Sequence, residues 1–354
     1  MNILSGLLLI YEACQFPVAA KGAVLCIGNF DGVHVGHQRM LAEGRRLARD
    51  RQLNFVVMTF DPHPLAILRP NQPRSPLMTA GQRLEILRQF EPDVVWLVKT
   101  DGAFLNMTAE EFMRSTMAGT VGAKVIVEGE SFTFGRGATG TMRTLQAKTA
   151  EFGWEIIVIS TQQMVLKDLS IVNVSSTLIR WLIGHGRVAD AQRMMGRPYT
   201  LRGTVVHGAA RGKLMGFPTL NIQSDLLLPA HGVYAGQVRI AQRVHPAAIS
   251  VGVNSTFGGT QTTVEAYVLD FSQSVYDQEV DVQFISWIRD QYKFAGPVAL
   301  TAQIQRDVAQ IRQRLADLAG ESPLDRASME EGTPQPVSSV AHGGGADTNG
   351  PKQE

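Results

Sequence analysis

Cysteine is almost missing from this chain: Cys14 and Cys26 are the two it carries among 354 residues. So few exclude a disulfide framework and fit a reducing compartment. Cys26 stands inside an apolar run, which makes it a core thiol. An excess of charge is missing too. Lys and Arg number 33 against 32 Asp and Glu, a formal net charge of +1. That balance argues against a broad electrostatic footprint for nucleic acid or an anionic membrane. No apolar run is long enough to span a bilayer. The stretch Asn2–Tyr11 is apolar but short, lacks a basic start and runs straight into Glu12, so it makes a poorly formed signal peptide. No internal repeat is visible. The expectation is a soluble, cytoplasmic protein with no nucleic-acid and no membrane partner.

What is present is enough apolar material, 44% of the chain, for two domains with real cores. In the first half, apolar runs at Ala23–Ile27, Phe55–Thr59, Val94–Val98, Lys124–Val127 and Glu155–Ile159 read as buried strands. Helical patterns lie between them, at about Gly36–Arg51, Ala80–Phe90, Ala109–Met117 and Thr141–Phe152. This alternation predicts a doubly wound parallel α/β sheet, with ligands beyond the carboxyl ends of its strands. After about Pro198 the rhythm changes. Glycines from Gly203 to Gly259 punctuate short alternating runs, Val233–Ile240, Ala247–Val253, Thr263–Phe271 and Glu279–Phe284, which suggest a small β barrel. A closing helix follows, with Leu300, Ile304, Val308, Ile311, Leu315 and Leu318 on one stripe, Pro297 near its start and Gly320 at its stop. That stripe is expected to pack on the barrel. From Glu321 the composition becomes a disordered tail. The expected division is residues 1–186, 187–320 and 321–354.

The first expected strand runs into Gly28-Asn29-Phe30-Asp31-Gly32-Val33-His34-Val35-Gly36-His37. Glycines let backbone approach a ligand, and a helix N-terminus offers free N–H groups to an anion. Two imidazoles add donors that charge when a phosphate arrives. The pattern points to a nucleoside triphosphate and to attack at phosphorus. As a metal-ligand pair, His34 and His37 would lack an obvious third ligand. The residues Gly28, Phe30, Asp31, Gly32, His34, Gly36 and His37 together resemble the HxGH signature of the nucleotidyltransferase superfamily.

Three further stretches narrow the likeness: Thr59-Phe60-Asp61-Pro62-His63-Pro64, Gly129 to Gly137 through Phe132 and Phe134, and Val174-Ser175-Ser176-Thr177-Leu178-Ile179-Arg180. Alone, the Asp-Pro-His-Pro stretch reads as an ordinary proline turn and the Ser-Ser-Thr stretch as a helix N-cap. In this order they resemble the adenylyltransferase module of the bacterial bifunctional riboflavin kinase/FAD synthetase family. The resemblance implies a Rossmann-like nucleotidyltransferase domain. It implies that His34, His37 and the loop hold ATP phosphates, with Ser176, Thr177 and Arg180 opposite. It makes His63, Phe132 and Phe134 candidates for contact with FMN.

The second half reads Gly203-Thr204-Val205-Val206-His207-Gly208, then Arg211-Gly212-Lys213-Leu214-Met215-Gly216-Phe217-Pro218-Thr219-Leu220-Asn221. This is similar to the riboflavin kinase module of the same family, a small β barrel with a C-terminal helix. The likeness implies Mg²⁺ near Thr219 and Asn221, a phosphate-covering loop with Gly208, Arg211, Gly212 and Gly216, a base at Glu265, and Arg289 near the flavin. On a strand, Thr219 and Asn221 share one face and Leu220 takes the other. Leu220 replaces the family's usual alanine, Ser255 its proline and Asp277 its glycine, which puts the local turns in question. Riboflavin, FMN and ATP are the expected partners, and oligomeric state stays open. Other readings are a kinase with a silent first module, a flavin carrier without turnover, and an RNA binder on the strength of the histidine signature. The intact polar residues speak against the first two, and the near-zero charge against the third.

Overall fold

The computed structural model describes residues 2–4, 7–71, 75–208, 212, 215–253 and 262–320. The expectations for Arg211, for Ser255 and for the tail 321–354 lie outside these residues.

The first sheet contains β1 (Asn2–Leu4), β2 (Leu7–Ile10), β3 (Val24–Ile27), β4 (Phe55–Asp61), β5 (Val94–Lys99), β6 (Val125–Gly129) and β9 (Glu155–Ile159). The short ribbon β7 (Thr133–Phe134) with β8 (Gly140–Thr141) falls between the last two. The spatial order is β1-β2-β5-β4-β3-β6-β9. All neighbours run parallel except the edge strand β1. Buried on both faces, β3 and β4 read as continuous apolar runs for that reason. The chain moves outward from β3 to β4 and β5, then returns to the other side of β3 at β6. The order therefore reverses between β3 and β6, where doubly wound sheets open a crevice.

The N-terminal apolar stretch has a structural place. Leu7–Ile10 pairs parallel to β5, with Leu9 and Ile10 buried in the sheet cores. Its apolar character is that of a sheet strand with both faces covered. The helix Val35–Arg51 covers β3 and β4 closely: a Cβ at Gly44 would lie 2.6 Å from the Phe55 ring and 2.9 Å from the Cys26 sulfur. The run expected as one helix from Ala109 becomes a π-helix over Phe112–Val121, ended by Gly122 at φ 63°.

A ribbon of β10 (Gln163–Val165) and β11 (Ile171–Asn173) leads to the helices Ser176–Gly184 and Val188–Met195. The barrel comprises β12 (Tyr199–Val206), β13 (Leu220–Gln223), β14 (Gly232–Ile240), β15 (Arg243–Val253), β16 (Thr262–Val268) and β17 (Glu279–Arg289). It closes in the order β12-β13-β16-β15-β14-β17. Alternate residues such as Leu201, Val205, Ile249 and Phe284 fill its interior. Ile179, Leu182, Val188 and Met194 belong to the same apolar cluster, so both helices pack on the barrel. The helix Pro297–Gly320 lies outside the barrel, with Ile311 and Leu315 against Val233 and Ala235.

Among the described residues, no helix is long and apolar enough to cross a membrane. Gly44→Val should destabilise the chain by about 1–3 kcal/mol through overpacking against Phe55 and Cys26. A urea-unfolding midpoint followed by circular dichroism checks this, and an unchanged midpoint would show that the helix sits loosely on β3.

Candidate active sites

The crevice between β3 and β6 is a cleft of about 450 Å³. Its walls come from the carboxyl ends of β3, β4, β6 and β9 and from the start of the Ser176–Gly184 helix. Gly28, Asp31, His34, Gly36, His37, His63, Phe132, Ser176, Thr177 and Arg180 all line it. Residues as far apart in the chain as Gly28 and Arg180 thus meet in one cavity.

His34 caps the helix Val35–Arg51: its Nδ1 accepts the backbone N–H of His37 at 3.3 Å. With Nδ1 accepting, the neutral ring carries its proton on Nε2 and keeps a donor for a ligand. The two rings stack with centroids 3.6 Å apart, and the edge of Phe30 supports His37. Burial pushes the His34 pKa down to about 4, and that of His37 goes well down for the same reason. Both imidazoles are therefore neutral at pH 7. His37 Nδ1 and Asn29 Oδ1 are buried without a hydrogen-bond partner among the described residues. Buried polar atoms of that kind call for an occupant that brings its own donors and acceptors.

Asp31 has a different place from the phosphate contact expected of it. Its carboxylate is 3% exposed, accepts the Leu77 N–H at 3.0 Å and pairs directly with the Arg180 guanidinium. Burial raises its pKa, and Arg180 and the Leu77 amide pull the other way. A carboxylate there would repel phosphate, and its partner explains it instead. Ser176 donates to the Asp31 carbonyl at 2.7 Å, and Arg180 donates to the Ser176 carbonyl at 3.1 Å. The helix start is thereby locked onto the glycine loop. Ser175 supplies the N-cap, accepting from Leu178 N–H at 3.2 Å, which leaves Ser176 and Thr177 facing the cleft.

Other expected residues divide between the cavity and its support. Phe30 is fully buried in the core beneath the loop, close against Gly28, and Gly32 turns the loop at φ 86°. Phe132 reaches the cavity, while Phe134 stacks beneath it at 5.5 Å and packs on Phe112. His63 caps a short helix through Leu65 N–H at 3.1 Å. Two residues escaped the sequence reading. Glu128, 2% exposed at the end of β6, lines the cavity floor and accepts the Ile27 N–H at 2.5 Å. Its burial pushes its pKa well up. Arg83 is buried behind the loop and donates to the carbonyls of Asn29 and Phe60, at 3.0 and 2.8 Å. A charged residue ending an apolar run was the only signal for Glu128.

On the barrel, β13 pairs with β16 so that Asn221 stands directly opposite Glu265. The Thr219 hydroxyl donates to Glu265 Oε2 at 3.3 Å. Thr219, Asn221 and Glu265 thus share one polar face, and Leu220 turns to the apolar side opposite Ala266. Gly208 lies over that face: a Cβ there would fall 2.2 Å from Asn221 Nδ2. Gly212 comes within reach of Thr219, and Gly216 turns at φ 83°. Asp277 adopts φ 60° in the turn before β17, the left-handed conformation that glycine usually supplies and that aspartate tolerates. Arg289 directs its fork at the buried Asp307 of the closing helix, at 2.7 and 3.0 Å, with Tyr292 and Phe294 stacked on it. Among the described residues, no group of three His, Cys, Asp or Glu side chains could hold a metal ion.

Comparison with known proteins gives a consistent pattern. The FAD synthetase family model matches residues 17–177, and the riboflavin kinase model matches residues 195–315. A bifunctional riboflavin kinase/FMN adenylyltransferase of Listeria monocytogenes is 32% identical, covering 83% of this chain and 93% of that protein. The Escherichia coli K12 protein of the same description is also 32% identical, covering 88% and 97%. A crystal structure described as a macrolide-efflux protein from Streptococcus pneumoniae superposes with a TM-score of 0.75 at 31% identity, over 87% of this chain and 99% of that one.

The depressed histidines make stability depend on pH. In the unfolded chain each has a pKa near 6.5, and in the folded chain it is lower. Between about pH 6.5 and 4 the unfolded state binds more protons, so stability is fully present above that window and falls as pH drops through it. Melting temperatures from pH 8 to 4.5 should fall less steeply in the His34→Gln/His37→Gln variant than in the parent. Parallel curves would mean the rings are solvated.

Proposed function

The chain belongs to the bifunctional riboflavin kinase/FMN adenylyltransferase family, and on that premise we propose how its residues divide the two reactions. The overall activity is phosphorylation of riboflavin by ATP to FMN, followed by adenylyl transfer from ATP to FMN, giving FAD and pyrophosphate. The carrying observation is the separation of two unlike sites, a cleft of donors on the sheet and a carboxylate with oxygen donors on the barrel.

On the sheet, a phosphate oxygen of FMN attacks the α-phosphorus of ATP, and the bond to pyrophosphate breaks. No side chain needs to become a covalent carrier. The task is to hold two anions in line and to stabilise the charge that moves to the leaving group. His34 Nε2–H, His37 and the amides at Gly36 take the phosphates from one side. Thr177, Ser176 and Arg180 take them from the other. Phe132 and His63 receive the FMN. Phe30, Asp31, Gly32 and Phe134 shape and brace this cleft.

On the barrel, Glu265 takes the proton from the 5′-hydroxyl of riboflavin as that oxygen attacks the γ-phosphorus and ADP leaves. A base so placed is worth roughly 10²–10⁴ in rate. The side-chain oxygens of Thr219 and Asn221, beside the Glu265 carboxylate, are hard donors that fit Mg²⁺. When bound, the ion would neutralise phosphate charge. Gly208, Gly212 and Gly216 leave room for the phosphates above this face, and Arg211 stands between the first two in sequence. Arg289, through Asp307, holds Tyr292 and Phe294 at the flavin end. Two free thiols and the use of ATP fit a cytoplasmic setting.

Flavin chromatography tests the assignment. Glu265→Ala should block FMN formation while FAD still forms from supplied FMN. His34→Ala should show the opposite defect, a loss of roughly 10²–10³ in FAD formation. If each variant abolished both reactions, the division would be wrong.

A further inference from the structure

The glycine loop is strained. Val33 sits at φ 35° and Phe30 at φ 47°, with Gly32 at φ 86° between them. A β-branched residue at positive φ is an outlier, and such residues persist only where surrounding contacts over-determine them. Both side chains are fully buried, and Val33 N–H bonds to the Phe30 carbonyl at 3.2 Å. The remaining contacts come from outside the loop. Arg197 donates to the Gly32 carbonyl at 2.5 Å, to the Val33 carbonyl at 3.2 Å and to the Met195 carbonyl at 2.9 Å. Gln38 bridges the same Val33 and Met195 carbonyls, at 2.8 Å each.

Arg197 lies within the stretch matched by the riboflavin kinase model, beyond the end of the FAD synthetase match at residue 177. We infer that Arg197 is a positioning residue for FAD formation: from the kinase part of the chain it holds the His34 loop of the other site in its working shape. The inference rests on the reading of that loop as the adenylyl-transfer site.

The physical argument is direct. A peptide is planar, so fixing the Gly32 and Val33 carbonyls fixes the direction of the Val33 and His34 amides. His34 follows at once, and its ring must reach both the His37 amide and the ligand. The planar fork of the guanidinium serves both carbonyls at once, one from each terminal nitrogen. Burial lowers the Arg197 pKa only to about 10, so it remains a cation behind the loop. Further contacts hold the two parts in register. Gln82 donates to the Thr200 carbonyl at 3.3 Å, and Arg202 pairs with both Glu85 and Asp281.

The test uses the full-length chain. Arg197→Gln should lower kcat for FAD formation from supplied FMN at least tenfold, with KM for ATP changed less than threefold. FMN formation from riboflavin should stay within twofold of the parent. Arg197→Lys, which keeps the charge, should recover part of the loss. Gln38→Ala should give a smaller loss of the same selectivity, and it carries the test if Arg197→Gln does not fold. Equal loss of both activities, or full FAD formation in Arg197→Gln, would overturn the inference. His34→Ala run alongside separates the two ideas. If it keeps full FAD formation, the site reading fails. If it loses FAD formation while the Arg197 and Gln38 variants do not, only the positioning role fails.

Discussion

The buried pair of Asp31 and Arg180 is the contact on which the first site depends. Two charges out of water carry a large desolvation penalty, repaid only where geometry and extra hydrogen bonds satisfy both. Here the Leu77 amide serves the carboxylate, and the Ser75 and Ser176 carbonyls serve the guanidinium. Removing one partner of such a pair typically costs about 3–5 kcal/mol, because the other charge is left stranded. The pair joins the loop after β3 to the helix that opens at Ser176. That helix in turn packs its Ile179 and Leu182 into the barrel cluster. One ion pair therefore connects the glycine loop, the opposite wall of the cleft and the barrel.

The same burial explains the electrostatics of the cleft. Histidines that remain neutral without ligand offer N–H donors rather than fixed positive charges. Among the described residues lining the cleft, the permanent cation is Arg180, already balanced by Asp31. Beside Asp31 the lining also carries Glu128 and Glu130, so the resting cleft has no excess of positive charge, and on the proposed reading phosphate recognition falls to hydrogen-bond geometry. The barrel site follows another logic. Its carboxylate lies on a strand, with the Asn221 amide set opposite by β-pairing and the Thr219 hydroxyl, just before that strand, held by a hydrogen bond.

Local pattern made much of this legible. Parallel strands buried on both faces appear in sequence as apolar runs, and the runs at β3 to β6 and β9 were visible as such. The glycine loop, the Ser175–Arg180 helix start and the alternation that puts Thr219 and Asn221 on one face are short-range features. What stayed hidden depends on distant partners. Asp31 and Arg180 are 149 residues apart, so an acidic residue in a phosphate motif looked like part of the phosphate site. Arg197 drew no reading of its own, because its acceptors in the glycine loop, Val33 and Gly32, lie 164 and 165 positions away. Arg289 was expected near the flavin, and its pairing with Asp307 on the closing helix, 18 residues on, was not legible beside that expectation. The strand Leu7–Ile10 was too short to tell from a leader segment until β5 supplied its pairing.

The central claim is that two phosphorus atoms of ATP are attacked at two separate places in one chain. Radiolabelled ATP tests it most directly. Starting from riboflavin, FAD should carry one label from the γ-position, in its flavin phosphate, and one from the α-position, in its adenylyl half. Starting from FMN, only the α-label should enter. A γ-label in FAD made from supplied FMN, or an α-label in FMN, would contradict the account.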